Sequence, residues 1–138
     1  MTGPFVPAPA SAAATVRFHS VQYDSPGPDN RSPASLNAEW ISVVNDGSVA
    51  VNLAGWSIRD DTGHEFSFGK VRIEGNGGRL WVHTGSGTDT ATHVYWNSRA
   101  YIWNNTTDTA ELRTAAGKRW HTCTWKSESG RTATVCRT

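Results

Sequence analysis

Glu39 stands where a carboxylate is not expected. In the segment NAEWISVVNDGSVAVNLAGWSIRD, residues 37–60, apolar and polar residues alternate as in a half-buried strand. Glu39 and Asn45 fall on the same side of it as Ile41 and Val43. A carboxylate there either does chemistry or holds something in place. Asp24, Asp29 and Asn30 lie in a loop braced by Pro and Gly just ahead of it, and hard oxygen ligands gathered on a rigid loop are what Ca²⁺ takes. Against this, the loop lacks EF-hand spacing, and Asp, Asn and Ser in such loops ordinarily bond their own backbone. The default is therefore no cofactor, with Glu39 at the rim of the fold accepting hydrogen bonds from loop backbone and Asn45 bonding the turn that follows. Ca²⁺, with Asp24, Asp29, Asn30 and Glu39 as ligands, is the one metal candidate.

Hydrolytic chemistry finds less. Gly85-Ser86-Gly87 lacks the strand-to-helix frame of a nucleophile elbow. The five His, at 19, 64, 83, 93 and 121, show neither H-E-x-x-H nor H-x-H spacing and read as strand fillers. No pair of carboxylates is placed for glycoside cleavage, which needs them about 5–9 Å apart. No catalytic residue is assigned.

The elements that must position these groups are short strands. Strands are expected at residues 15–23, 37–45, 49–53, 56–59, 65–68, 71–73, 79–84, 109–113 and 119–126, with 93–96 as a brief strand or a helical turn. Residues 24–36 form a long loop hostile to regular structure, Asp46-Gly47 a hairpin turn, Gly75-Asn76-Gly77-Gly78 a tight turn, and Ala115-Ala116-Gly117 the turn of a closing hairpin. Many short strands with regular turns mean an all-β sandwich or barrel. The 138 residues suffice for one domain with a real core. Residues 1–14, rich in Pro and Ala, read as a linker or a trimmed processing segment, leaving 15–138 as the domain.

Charge is nearly balanced, 13 Lys and Arg against 12 Asp and Glu, which argues against a bulk grip on nucleic acid or anionic lipid. A local basic cluster, Lys118, Arg119, Lys126 and Arg131, keeps DNA among the candidate partners. Carbohydrate is another, if Trp81, Trp96, Trp103, Trp120 and Trp125 include an exposed platform rather than core. No apolar run is long enough for a transmembrane helix.

The two Cys flank TWKSESGRTATV. A two-residue turn at Ser129-Gly130 sets Glu128 opposite Arg131 and brings Cys123 opposite Cys136 at a non-hydrogen-bonded pair, where side chains approach most closely. A Cys123–Cys136 disulfide in this C-terminal hairpin would stabilise the fold by roughly 3 kcal/mol in the chain-entropy model. It implies an oxidising compartment, hence secretion or surface display. Two free buried thiols are the competing reading.

Glu-Trp-Ile-Ser-Val-Val-Asn (39–45), followed by Val51-Asn52-Leu53-Ala54-Gly55-Trp56-Ser57-Ile58, resembles the lamin tail domain, which has an E-[WY]-[IV]-x-[IL]-x-N strand and then an L-x-G-W segment. Gly63-His64-Glu65-Phe66-Ser67-Phe68 is similar to its aromatic strand. The stretch 82–91 with Tyr95-Trp96 is similar to a segment of its bacterial members, and Trp103-Asn104-Asn105 with Asp108 through Arg113 and Gly117 to its closing hairpin. The resemblance covers roughly residues 16–126. It implies an immunoglobulin-like β-sandwich of short antiparallel strands, no catalytic residues, and an interaction module; nuclear lamins use the domain on proteins and DNA, and bacterial members resemble secreted or surface pieces, often appended to hydrolases. The disulfide hairpin is an extension that the pattern does not require.

A protein partner is accordingly the leading expectation, with carbohydrate or nucleic acid bound on behalf of a partner hydrolase as the alternative. The loops 24–36 and 85–108 are the two long enough to build a concave wall. Tyr101 and Trp103 are its expected apolar anchors and Arg31 and Arg99 its rim, since aromatics and Arg dominate interface energetics. Trp103 competes for a second role, plugging the end of the core.

Overall fold

A computed structural model describes residues 15–137. The expected linker over residues 1–14 lies outside the described residues. The elements are β1 (Val16–Gln22), α1 (Pro33–Asn37), β2 (Trp40–Asn45), β3 (Val51–Asn52), β4 (Ser57–Arg59), β5 (Glu65–Ser67), β6 (Arg72–Ile73), β7 (Gly78–His83), β8 (His93–Tyr95), β9 (Thr107–Arg113), β10 (Arg119–Lys126) and β11 (Ala133–Val135).

In β1 the alternation Val16, Phe18 breaks at a bulge between Phe18 and Ser20, and the extra residue turns Val21 inward in place of Ser20. The strands build an immunoglobulin-like sandwich. One sheet has the order β11-β1-β2-β7-β8, the other β10-β9-β4-β5, and β3 and β6 form a small ribbon. Phe18, Ile41, Val43, Leu80 and Val82 of the first sheet join Ile58, Ala110, Leu112 and Trp125 of the second in one buried core. The pairing is antiparallel except for β7 with β8, which run parallel.

Several expectations hold and several need correction. The β9–β10 hairpin forms about its expected turn, and Gly75-Asn76-Gly77-Gly78 turns with Asn76 and Gly77 both at positive φ, 58° and 84°. The 24–36 loop is not wholly irregular. Ser32 caps α1 by accepting from the Ser35 N–H at 3.2 Å, with Pro33 in the first turn, so residue 37 ends a helix and β2 starts at Trp40. Asp46-Gly47 does not close a hairpin. β3 pairs with β6 rather than with β2, because the chain leaves the first sheet there.

The C-terminal turn at Ser129-Gly130 forms, with Arg131 N donating to Glu128 O at 3.0 Å, but no hairpin ladder follows. β10 stays with β9 in one sheet, and β11 crosses to pair with β1 in the other. The disulfide Cys123–Cys136 is present, and it joins the two sheets along one open side of the sandwich. His121 closes the same side: its Nδ1 accepts from Phe18 N at 3.2 Å while Nε2–H donates to Arg137 O at 2.9 Å. Trp120 Nε1 also donates across, to Val16 O at 3.2 Å.

Candidate functional site

Glu39 lies between α1 and β2 and is 1% exposed. Its Oε1 accepts three hydrogen bonds, from Thr84 Oγ1 at 2.6 Å, Ile102 N at 2.8 Å and Trp103 N at 3.2 Å. Burial pushes its pKa up to about 7, against the three hydrogen bonds, which favour the charged form. Nearby Asp29 adds to the rise. The role expected for Glu39, accepting bonds from loop backbone, is the one it has, although its carboxyl is buried within the fold. Asn45 likewise serves its turn, accepting from Gly47 N at 3.1 Å and donating to Val49 O at 2.8 Å.

Through Glu39 the two long loops are held side by side, and between them opens a cleft of about 310 Å³. Asp24, Ser25 and Asp29 form one wall, Tyr101 through Thr106, without Ile102, the other, and Glu39 is among the lining residues. The first wall is stiffened from within: Ser25 Oγ donates to Ser35 O at 2.6 Å, and Ser35 Oγ lies 2.6 Å from the Tyr101 hydroxyl. Tyr101 also accepts from Arg31 N at 3.2 Å, which fastens one loop to the other. At the far end buried Asp108 accepts from the N–H groups of Asn104, Thr109 and Asp61, at 2.9, 2.8 and 3.1 Å. Burial raises its pKa.

The residues considered as calcium ligands are only partly brought together. Asp24, Asp29 and Glu39 line one cleft, but Asn30 turns its Oδ1 to Ser32 N at 3.0 Å. Among the described residues no three His, Cys, Asp or Glu side chains are arranged to hold a metal ion. The surface anchors divide as well. Tyr101 is half-buried on the cleft wall, whereas Trp103 is 2% exposed and packs edge-on against Trp96 and Trp125. Trp103 thus takes the core role that its position also allowed. Arg31 and Arg99 are both exposed; Arg31 adjoins the cleft through Tyr101, and Arg99 does not line it.

Of the candidate Trp platform, Trp103 and Trp125 are core, and Trp96 and Trp120 pack against it. Trp81 alone faces outward on its sheet, near-parallel to His93 at 5.0 Å between centroids. Sequence reading missed what surrounds it. His83 Nδ1–H donates to Asn37 O at 2.8 Å, which leaves Nε2 to accept from His93 Nδ1–H at 2.9 Å, and Tyr95 lies beside His83 at 5.1 Å. Burial lowers the His83 pKa. The parallel β7–β8 register puts these rings side by side, and no short-range spacing in the sequence reports a parallel pair.

The buried carboxylate, the E-W-I-S-V-V-N strand it begins and the sandwich around them meet in one family's description. The model of the lamin tail domain matches residues 9–127. The chain belongs to the lamin tail domain family. That family is an immunoglobulin-like, non-catalytic interaction domain. The lamin tail match stops at Ser127, so β11 and Cys136 lie beyond the matched region while Cys123 lies within it. No curated protein matches the chain. No helix among the described residues is long and apolar enough to cross a membrane, and the disulfide is compatible with an oxidising compartment.

Proposed function

We propose that this lamin tail domain is a non-catalytic interaction module of a secreted or cell-surface bacterial protein, and that it binds a protein partner in the cleft between its two long loops. Glu39 carries the reading. The residue best placed for chemistry has one oxygen engaged by three internal donors, and what those donors hold is the cleft wall. Tyr101 supplies the aromatic contact and Asp24 and Asp29 the charge, with Arg31 joined to them through Tyr101 as the rim. A photo-crosslinking residue placed at Tyr101 should capture a defined partner in cells or secretions of the source organism, and the same residue at exposed Thr62 should not. Equal capture from both positions would remove the cleft from the account.

A second reading, an accessory domain that binds carbohydrate for a partner hydrolase, draws on the ring ladder Trp81, His93, His83 and Tyr95. A glycan array with a Trp81→Ala control tests it. Binding lost in that variant would favour this reading over the first.

A further inference from the structure

The disulfide-closed side of the sandwich carries two strand edges, of β10 and β11, that have no pairing strand among the described residues, and their phase can be read from the hydrogen bonds. Ser127 N donates to Thr106 O, and antiparallel pairing alternates, so Cys123 and Trp125 exchange bonds with β9 while Thr122 and Thr124 turn their N–H and C=O groups away from it. On β11, Cys136 N donates to His19 O and Thr132 O accepts from Asp24 N, so Ala133 and Val135 turn outward in the same way. Between the two edges runs a groove of about 700 Å³ lined by Thr122, Thr124 and Val135, with Cys123 and Cys136 also in its wall. Val135 is 70% exposed, an unusual degree for a large apolar side chain.

Long free edges are usually blunted along their length. Here, among the described residues, the guards stand only at the ends of β10: a bulge at Arg119/His121, and Arg131 Nη2 donating to Lys126 O at 3.1 Å. Among the described residues nothing bonds the outward backbone groups between them. The charge around the groove is one-sided. Lys126 and Arg137 line it with no ion-pair partner among the described residues, and the single acid, Glu128, is already paired with Arg131 at 3.3 Å.

We propose that this groove receives an extended, acidic segment of a partner protein, which adds as a strand to β10 between its two guards. Backbone bonds to Thr122 and Thr124 hold the segment, Val135 packs on it, and its carboxylates meet Lys126 and Arg137. The site is separate from the loop cleft, and neither depends on the other.

The test uses the oxidised chain and a short synthetic peptide alternating Glu with Val, beside the same peptide with Lys for Glu. Amide hydrogen exchange followed by NMR should slow at Thr122 and Thr124 with the Glu peptide only, by at least about tenfold at saturation. Thr124→Pro removes an N–H that β9 does not use, together with one exposed hydroxyl contact to Thr109 Oγ1, so it should lower the melting temperature only slightly and leave the disulfide intact while abolishing binding. Lys126→Glu combined with Arg137→Glu should weaken binding at least about tenfold and reduce its salt dependence. Unchanged binding by Thr124→Pro, equal binding of the Lys peptide, or no protection of either amide at millimolar peptide would overturn the proposal. So would protection of those amides that rises with protein concentration alone, because a second copy would then be the occupant.

Discussion

Glu39 and Thr84 meet twice: the Thr84 hydroxyl donates to Glu39 Oε1 at 2.6 Å, and the Thr84 N–H donates to Glu39 O at 3.0 Å. The end of β7 is thereby fixed to the start of β2. The same Oε1 carries the Ile102 and Trp103 amides, so one carboxyl oxygen joins three segments distant in sequence.

The first expected outcome is a pH dependence with a definite sign. The Glu39 carboxyl titrates at about 7 in the fold against 4.5 as its ordinary value. Between those values the native state holds the extra proton, so stability falls as pH rises through that window. Glu39→Gln keeps an acceptor oxygen and cannot ionise. Urea midpoints from pH 4.5 to 8 should fall less steeply for the variant, and the two proteins should diverge most above pH 7, by up to about 3 kcal/mol. Glu39→Ala should be destabilised at every pH, because three buried donors lose their acceptor. His83, whose pKa burial lowers, acts in the opposite sense and costs stability as pH falls below 6.5. It is common to both proteins, so their difference isolates Glu39.

The disulfide should be complete and structural. Mass spectrometry of protein made in an oxidising compartment should show the Cys123–Cys136 link and no free thiol. Replacing both with Ser should lower stability by about 2–4 kcal/mol, with amide exchange increasing first at β11. Uniform loss of protection would show that the bridge does not specifically secure that strand.

Trp103 and Tyr101 should separate by phenotype. Trp103→Ala opens a cavity among Trp96 and Trp125 and should cost about 3–5 kcal/mol. Tyr101→Phe removes the hydroxyl shared by Ser35 and Arg31 N and should cost about 1 kcal/mol, with faster exchange of the Arg31 amide as its signature. A Tyr101 variant as damaging as the Trp103 one would place Tyr101 in the core instead of on a binding wall.

Asp108 gives a further check on the loop wall. Asp108→Ala leaves the Asn104, Asp61 and Thr109 amides without their acceptor and should cost about 2–3 kcal/mol. Thermal melts of this variant and of Asp24→Ala would compare a carboxylate built into the fold with one facing the cleft. Asp24→Ala should stay within about 0.5 kcal/mol of wild type.

What the sequence revealed follows the range of each interaction. The β9–β10 hairpin was legible because its partners are joined by a short turn and its alternation is clean. Glu39 was legible as an anomaly, and the role of loop backbone acceptor followed from its place at a strand start. Hairpin geometry pairs Cys123 with Cys136, and the disulfide forms although that hairpin does not: β11 leaves β10 to pair with β1, a choice made by sheet packing beyond the turn. Ser32-Pro33 is a helix-start signal hidden in a loop dense with other turn formers. The His83–His93 pair depends on a parallel strand alignment, which leaves no local mark. Trp103 shows the remaining limit, since an aromatic in a loop is equally suited to a surface and to a core until the opposite sheet is placed.

The measurement that bears most directly on the central claim is turnover by the purified, oxidised chain and its Glu39→Gln variant on phosphodiester, ester, peptide and glycoside substrates. A binding module leaves all four classes intact with both proteins. Turnover that copurifies with the wild-type chain and disappears in Glu39→Gln would make that carboxylate a catalytic group and contradict the account.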